Sequence, residues 1–404
     1  MTRFQRTLTW LERHRDLDEI KIISGVRGCG KTHLLDAYAA RLAHAGVPQT
    51  HILRINLAQP NGTIARTPEE LVARIKSHMT DDRRTYLLLD EVCELENVGR
   101  ALDELFVLKR HDIVATSSNL HPFADDSFSS LNSRVEMLPP AFSELPFREG
   151  MSFDRRLASR LRYSALPYTF QLREAPHAVD VYLLGLWNTI LVRDIFTYNR
   201  MSDVRLVEYL MERLFDHLGE TESLRRISND LSRAYHEVAP NTVLSYVSAL
   251  DGSLLMRRVP KFDVFLGEPL RSGYRFYLAD PALGRARYGG FPLEPQSMLR
   301  NLIYLELIAH VNDSGGKVYC GRIGKLDFDF VTVVRKSVHC WQFAPAAERG
   351  EIPADVLAPF THIPVDIPRT VITNGFMPKT PPRGIEVVTL EDFLSANADD
   401  GITP

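Results

Sequence analysis

Short apolar runs alternate with amphipathic stretches between residues 20 and 140, which is the pattern of a parallel α/β sheet. The apolar runs predict five strands, at Ile20–Ile23, Ile52–Ile55, Tyr86–Leu89, Ile113–Thr116 and Val135–Leu138. The stretches between them predict helices at Lys31–Ala45, Thr67–His78 and Asn97–Lys109. Prolines at 139, 140 and 146 then interrupt the alternation, so we expect a first domain over residues 1–150.

From about residue 150 to 260 the pattern is mostly helical. Leu224–Leu231 and Thr242–Leu250 predict two short helices joined by a turn, and β-prone residues follow over Leu254–Leu278. Two helices followed by a small hairpin is the order of a winged helix. We therefore expect a helical lid and winged-helix region over residues 151–290.

The remaining residues, 291–404, are predicted to form a third, α/β domain. A helix is expected from Leu299 onward, followed by strands at Lys317–Cys320, Phe328–Val334 and Val338–Phe343. Ala344–Ala358 is rich in alanine and proline and is predicted as a loop. Asn397–Pro404 is predicted as a frayed tail.

One segment carries the fixed positions of a phosphate-binding loop, G-x-x-x-x-G-K-[ST]. It reads Gly25-Val26-Arg27-Gly28-Cys29-Gly30-Lys31-Thr32, with His33 directly after it. Glycines let the backbone N–H groups converge on phosphates, and the following helix adds its positive N-terminal end. Lys31 is expected to neutralise the β- and γ-phosphates of ATP, and the Thr32 hydroxyl to bind Mg²⁺. The alternative interpretation is a flexible surface loop.

A second motif follows 59 residues after Lys31, where the apolar run Tyr86–Leu89 ends in Asp90 and Glu91. An acid at the carboxyl end of such a strand is expected to hold Mg²⁺, which assigns Asp90. Glu91 is expected to orient and deprotonate the attacking water. Solvated acids after a core strand are the alternative.

Two further features allow a functional and a structural interpretation. The fourth strand ends in Thr116-Ser117-Ser118-Asn119, where a polar side chain of 117, 118 or 119 could contact the γ-phosphate or simply end a strand. Arg134 precedes the last strand, and in ring-forming ATPases an arginine there can reach the neighbouring subunit's nucleotide. A surface arginine is the alternative for Arg134.

Composition and charge limit the function classes. The chain has 48 Lys+Arg against 51 Asp+Glu, so no global basic field indicates nucleic acid. The four cysteines are scattered without zinc spacing, and the charged N-terminus lacks the apolar run of a signal peptide. No segment has the length of a membrane span. These observations predict a cytoplasmic protein with reduced thiols and no membrane contact.

As an ordered set of motifs, the chain resembles the bacterial and archaeal ATPases with an N-terminal AAA-type domain and a C-terminal domain of unknown function. The motifs that carry this resemblance are 23–32, 87–92, 116–119, 133–134, 138–144, 188–194, 277–283 and 301–307. The resemblance implies a P-loop sheet of AAA type and a restriction-endonuclease-like core in the last domain. Arg300 departs from the family pattern, which usually has Glu there.

The implied nuclease-like core is expected to be inactive. A site of that fold needs an Asp and then a Glu-x-Lys on the next strand, whereas this chain has Asp329 followed by Gln342 and Ala344. Glu306, Asp327 and Asp329 could still gather around a divalent ion, or they could form a solvated face.

Two functions remain open from the sequence, and a third is weaker. The first is an Mg²⁺-dependent ATPase that drives a nucleic-acid-associated or regulatory conformational change, with DNA contacted through the winged helix. The second is a STAND-like switch that binds ATP and acts through protein contacts. A small-molecule P-loop kinase fits less well, because such kinases rarely need a winged helix. The preference for ATP over GTP and the size of any homo-oligomer stay open.

Overall fold

The structure, a computed structural model, describes residues 1–58, 67–78, 81, 83–123, 131–197, 201, 203–235, 237–290, 296–312, 314–348 and 350–396. The predicted frayed tail at 397–404 lies outside the described residues. Among the described residues, no helix combines the length and the apolar character that crossing a membrane requires.

Five parallel strands form the first sheet, in the order β2-β3-β4-β1-β5. They are β1 Ile20–Ser24, β2 Ile52–Asn56, β3 Thr85–Asp90, β4 His111–Ser117 and β5 Asn132–Glu136. All five predicted strands are confirmed, although β5 begins three residues earlier than the sequence suggested. Because β4 lies between β1 and β3, its carboxyl end separates the phosphate loop from the acidic pair.

Helices cover both faces of this sheet, because alternate residues of each strand point to opposite sides. Ile20 and Ile22 pack in one core cluster and Ile23 in another. The three helices predicted here are confirmed, and a fourth precedes them. The set is α1 Arg3–Arg13, α2 Lys31–His44, α3 Pro68–His78 and α4 Val98–Val107.

The middle region is mostly helical, as predicted. It contains α5 Phe153–Tyr163, α6 Thr169–Leu172, α7 Pro176–Thr189, α8 Val204–Asp216, α9 Leu224–Ala234 and α10 Pro240–Gly252. Helix α7 continues directly into a π-helical segment, Ile190–Thr197. The apolar cluster that fills this region is continuous with the one beneath α2, so the helices share a core with the first sheet.

A second sheet has seven strands in the order β12-β11-β10-β9-β8-β6-β7. The elements of this part are β6 Met256–Asp263, β7 Glu268–Leu278, α11 Pro281–Tyr288, α12 Ser297–Asn312, β8 Lys317–Ile323, β9 Leu326–Val334, β10 Ser337–Ala344, α13 Ala354–Leu357, β11 Arg369–Thr373, β12 Glu386–Thr389 and α14 Leu390–Ser395. The predicted hairpin is β6–β7, and β6 pairs in parallel with β8. The sheet therefore crosses the domain boundary predicted at residue 290.

Arg3 joins the N-terminal helix to both parts of the molecule. Its guanidinium donates to the carbonyl of Pro139 (2.7 Å) and to the carboxylate of Glu306 on α12 (2.5 Å). Its backbone N–H donates to Glu144 at 2.6 Å. Since Arg3 is buried, these bonds fix α1 between the first sheet and the C-terminal sheet.

Candidate functional site

The phosphate loop connects the end of β1 to the start of α2, where the sequence predicted it. Gly30 has φ +107°, a backbone conformation that a residue with a Cβ rarely adopts. At Gly25 a Cβ would lie 2.5 Å from the carbonyl oxygen of Met137, so the chain after β5 packs directly on the loop. The loop is therefore a packed turn and not the flexible surface loop of the alternative interpretation.

Lys31 is buried at the start of α2 and is surrounded by oxygen acceptors. Its Nζ donates to the carbonyl of Gly25 (2.9 Å) and to Ser118 Oγ (2.8 Å), and lies 3.2 Å from Glu91 Oε1. Burial opposes the positive charge, but the Glu91 carboxylate outweighs it and the pKa of Lys31 is raised. Lys31 is thus a fixed cation inside the loop.

The Asp90 carboxylate is held by three side chains at the end of β3. Thr32 Oγ1 donates to it at 2.7 Å, Asn56 Nδ2 at 3.0 Å and Thr116 Oγ1 at 2.5 Å. The hydroxyl of Thr32 and the carboxylate of Asp90 therefore lie side by side, as a shared Mg²⁺ site requires. Hard oxygen donors of this kind are the ligands that Mg²⁺ prefers, so these residues fit the ion that the fold implies.

Glu91 has a left-handed backbone, with φ 54° and ψ 51°. Residues other than glycine adopt this conformation only occasionally, and here the Glu91 N–H donates to Thr116 Oγ1 at 3.0 Å. The carboxylate is buried and accepts a hydrogen bond from Ser118 Oγ at 2.8 Å. Burial alone would raise the pKa of Glu91, but Lys31 and then Arg27 lower it to about 2. Glu91 is consequently an ionised acceptor in a nearly dry site.

The three residues after Thr116 have different partners. Ser118 Oγ bridges Lys31 and Glu91. Ser117 Oγ donates to the carbonyl of Asn119, and Asn119 Nδ2 donates to the carbonyl of Asp194 at 2.8 Å. Among the three, Ser118 is therefore the side chain that contacts both Lys31 and Glu91, which the sequence could not decide.

Arg27 extends from the phosphate loop towards the helical region. Two of its nitrogens contact the carboxylate of Asp194, at 2.6 and 3.0 Å. Glu94 Oε1 accepts a further bond at 2.9 Å, and Glu91 Oε2 lies 3.9 Å away. Burial lowers the pKa of Arg27, but Asp194 and then Glu91 raise it by more. Asp194 was named in the sequence only as part of a motif.

The other predicted residues lie at different depths. Val26 and Cys29 are buried in the loop, and burial raises the pKa of the Cys29 thiol. His33 is exposed with its ring 5.3 Å from that of Phe4. Arg134 is exposed on β5 at the level of Ile22, and donates to the carbonyl of Phe123 at 3.0 Å. Arg134 therefore faces solvent.

Asn56 is a residue of the site that the sequence analysis did not single out. It ends β2, the strand next to β3, and therefore reaches Asp90 across the carboxyl edge of the sheet. The signal was available, because polar residues that end neighbouring parallel strands meet at one edge.

The three C-terminal acids do not gather around a common point. Each has a different cation: Glu306 pairs with Arg3, Asp327 with Lys261, and Asp329 with Arg275 and Arg300. In the described part of the chain they form no cluster with metal-binding geometry. Glu306 and Asp329 are also buried, so the solvated face proposed as the alternative is wrong for these two.

The fold and the site together define a P-loop, AAA-type α/β domain, followed by a helical region and a second sheet. Residues 17–146 match the family model described as an AAA domain. Residues 155–294 match a second family model, a domain of unknown function (DUF8612). The first match ends and the second begins close to the transition from the first sheet into the helical region.

The chain is similar to one relative over nearly its whole length and to parts of solved structures. An uncharacterized protein of Haemophilus influenzae is 24% identical over 396 residues, which cover 96% of this chain and 97% of that protein. AMPPCP-bound DnaA from Aquifex aeolicus aligns over 61% of this chain and 86% of its own, with 14% identity and a TM-score of 0.29. A chain of the Drosophila ORC bound to DNA aligns over 37% of this chain and 95% of its own, with 14% identity and a TM-score of 0.26.

Proposed function

We propose that this protein binds Mg²⁺–ATP at Gly25–Thr32 and hydrolyses it. The observation that carries the proposal is the convergence of Lys31, Glu91 and Ser118 beside the Thr32–Asp90 pair. Phosphoryl transfer to water requires a cation that binds the phosphates, a pair of oxygens that bind the metal ion, and an ionised base.

Each residue has one task in this proposal. The backbone N–H groups of the loop and the Lys31 ammonium bind the β- and γ-phosphates. Thr32 and Asp90 would hold Mg²⁺, which neutralises charge on the phosphate oxygens. Glu91 accepts the proton of the attacking water, and Ser118 fixes the orientation of its carboxylate. Because Lys31 also contacts Glu91, bound phosphates compete for the same cation and release the base.

Hydrolysis is proposed to change how the first sheet sits against the helical region. The segment after β4 contacts that region twice: Asn119 donates to the carbonyl of Asp194, and the N–H of Leu120 to the carbonyl of Gly252 at 2.8 Å. Gly252 ends α10, the helix expected to recognise DNA in a winged helix. If Ser118 moves when phosphates bind, the movement would therefore be passed towards α10 through Asn119 and Leu120.

Ion pairing of two basic side chains favours the second candidate function, a nucleotide switch that acts through protein contacts. Of the basic residues that flank the winged-helix region, Arg257 pairs with Glu136 and the buried Lys261 pairs with Asp327. These two cannot contact DNA phosphates without breaking ion pairs. Arg225 and Arg226 remain exposed on α9, and α10 contains no Lys or Arg.

Nucleotide binding is tested by calorimetry with Lys31→Ala, because this change removes the cation of the phosphate loop. Binding of Mg²⁺–ATP should be lost. Lys76→Ala is the matched control, since Lys76 is a half-exposed helix residue bonded to Glu104, and it should bind like the wild type. Unchanged affinity in Lys31→Ala would refute the proposed site.

A separate assay distinguishes the two candidate functions. ATP turnover is measured with and without duplex DNA at about 50 mM salt, and again at higher salt. Contacts through exposed arginines should be weak, tolerant of sequence and steeply dependent on salt. Stimulation that disappears in Arg225→Ala/Arg226→Ala supports the DNA-associated ATPase. Absence of DNA binding at low salt supports the protein-contact switch.

A further inference from the structure

Arg27 and Asp194 form a two-point ion pair between the phosphate loop and the helical region. Arg27 Nη2 lies 2.6 Å from Asp194 Oδ1, and Nε lies 3.0 Å from Oδ2. Their side chains are only 13% and 3% exposed. A fork-to-fork pair with little access to water is among the stronger polar contacts in proteins, and its geometry is specific.

The phosphate loop does not require an arginine at this position, because the motif leaves the residue free. What distinguishes Arg27 is its third acidic neighbour, the proposed base: its Nη2 lies 3.9 Å from Glu91 Oε2. The guanidinium therefore has three acidic neighbours, and its contacts with Asp194 (2.6 Å) and Glu94 (2.9 Å) are both shorter than its 3.9 Å approach to Glu91.

Asp194 belongs to an irregular part of the helical region. It lies in the π-helical segment Ile190–Thr197 that continues α7, and insertions of this kind are frequent at functional sites. Its carbonyl also accepts the Asn119 side chain. Helix α7 packs on the loop itself, since a Cβ at Gly28 would lie 3.1 Å from atoms of Leu186 and Tyr182.

We propose that Asp194 is a positioning residue for hydrolysis: it holds Arg27 away from Glu91 and thereby makes the activity of the base depend on the placement of the helical region. This inference rests on the proposed ATPase function. Burial raises the pKa of Asp194, and its contact with Arg27 is the largest influence that opposes that rise.

The consequence of losing Asp194 follows from these distances. Without that carboxylate, Arg27 keeps only the single-point bond to Glu94, and its guanidinium can move closer to Glu91 and mask the proton acceptor. Single-turnover hydrolysis of ATP should fall at least tenfold in Asp194→Asn, while the affinity for Mg²⁺–ATP changes less than threefold. A residue that only stabilised the fold would not separate the rate from the affinity in this way.

The test uses the full chain with four variants. Arg27→Lys keeps the charge but cannot form the two-point bond, so its hydrolysis rate should fall by a factor similar to that of Asp194→Asn. The double variant Arg27→Lys/Asp194→Asn should be no slower than the slower single variant, because both changes act on one pair. Asp230→Asn is the matched control, since it breaks an Arg–Asp pair with Arg213 away from the site and should keep the wild-type rate. Thermal unfolding of each variant reports folding.

The outcomes separate this inference from the function on which it rests. Wild-type protein that shows no turnover contradicts the ATPase function, and the inference with it. Wild-type turnover with an unchanged rate in a folded Asp194→Asn protein contradicts the inference alone. If the rate of the double variant falls by the product of the two single-variant factors, the two changes act independently and the inference is also contradicted. If Asp194→Asn does not fold, the rate and affinity of Arg27→Lys decide.

Discussion

Lys31 and Glu91 are an ion pair, with Nζ of the lysine 3.2 Å from Oε1 of the glutamate. The pair joins the first residue of α2 to the residue that follows β3, and both side chains are buried. Lys31, the proposed phosphate-binding cation, and Glu91, the proposed base for the attacking water, are therefore paired with each other. Any ligand that draws the charge of Lys31 changes the environment of Glu91.

Replacing Glu91 with Gln tests the base directly. The amide keeps the size of the side chain and can still accept a hydrogen bond from Ser118, but it cannot take a proton. We expect hydrolysis to slow by about 10²-fold or more with nucleotide binding retained. Steady-state turnover and calorimetry measure the two effects. Glu104→Gln, on the exposed face of α4, serves as the control, and unchanged turnover in Glu91→Gln would reassign the base.

Arg134 is expected to act on a neighbouring subunit, because it faces solvent from the edge strand β5. Arg134→Ala and Lys31→Ala proteins should each be inactive, and mixing them should restore part of the activity if each supplies what the other lacks. Turnover of the mixture is compared with each variant alone. A wild-type protein that is strictly monomeric during turnover would exclude this role.

The C-terminal sheet is expected not to cleave nucleic acid. Asp329 Oδ1 is 2.9 Å from Arg275 and 3.3 Å from Arg300, and its Oδ2 accepts the N–H of Phe343. Two guanidinium groups already pair with this carboxylate, so a divalent ion would have to displace them, and Gln342 adds no charge. Supercoiled plasmid, single-stranded DNA and RNA should survive in Mg²⁺ or Mn²⁺. Cleavage that persists in Lys31→Ala and is lost in Asp329→Ala would show the prediction to be wrong.

His339 makes the stability of the second sheet dependent on pH. It is buried against Trp341, with ring centroids 4.1 Å apart, and burial lowers the pKa of His339 from 6.5 to about 4. In the unfolded chain His339 binds a proton near pH 6.5, whereas in the folded protein it stays neutral down to about pH 4. The free energy of unfolding should therefore fall as the pH drops from 6.5 to 4, by about 1.4 kcal/mol per pH unit.

His339→Gln isolates this contribution, since Gln does not titrate. Guanidinium unfolding at several pH values should give a shallower pH dependence for the variant than for the wild type, by up to one proton. His111 is shifted in the same direction and serves as an internal reference, because it titrates in both proteins. Identical slopes would mean that His339 is protonated in the folded state.

The central strands β1, β3 and β4 of the first sheet could be predicted from the sequence, because each is buried on both faces and contains an apolar run. The spacing of the phosphate loop, Asp90 and Glu91 was equally visible. The N-terminal helix was missed for a physical reason: its buried face includes Arg3 and Thr7, so the apolar stripe is incomplete.

The contacts that could not be predicted from the sequence join residues that are far apart along the chain. Arg257 and Lys261 are basic residues in the predicted hairpin of the winged helix, and the sequence does not show that Glu136 and Asp327 lie beside them. Glu91 has a left-handed backbone, and its N–H is hydrogen-bonded to Thr116, 25 residues away. The partnership of Arg27 with Asp194 spans 167 residues and has no local signature.

The pairing of β6 with β8 bears on how the protein can be divided for experiments. Lys261, Phe262 and Asp263 lie in register with Cys320, Gly321 and Arg322. A fragment that stops at residue 290 would present the free edge of β6 to solvent, and unpaired edges recruit other chains. We therefore expect such a fragment to aggregate on expression, so useful truncations must keep the hairpin and the C-terminal strands in one piece.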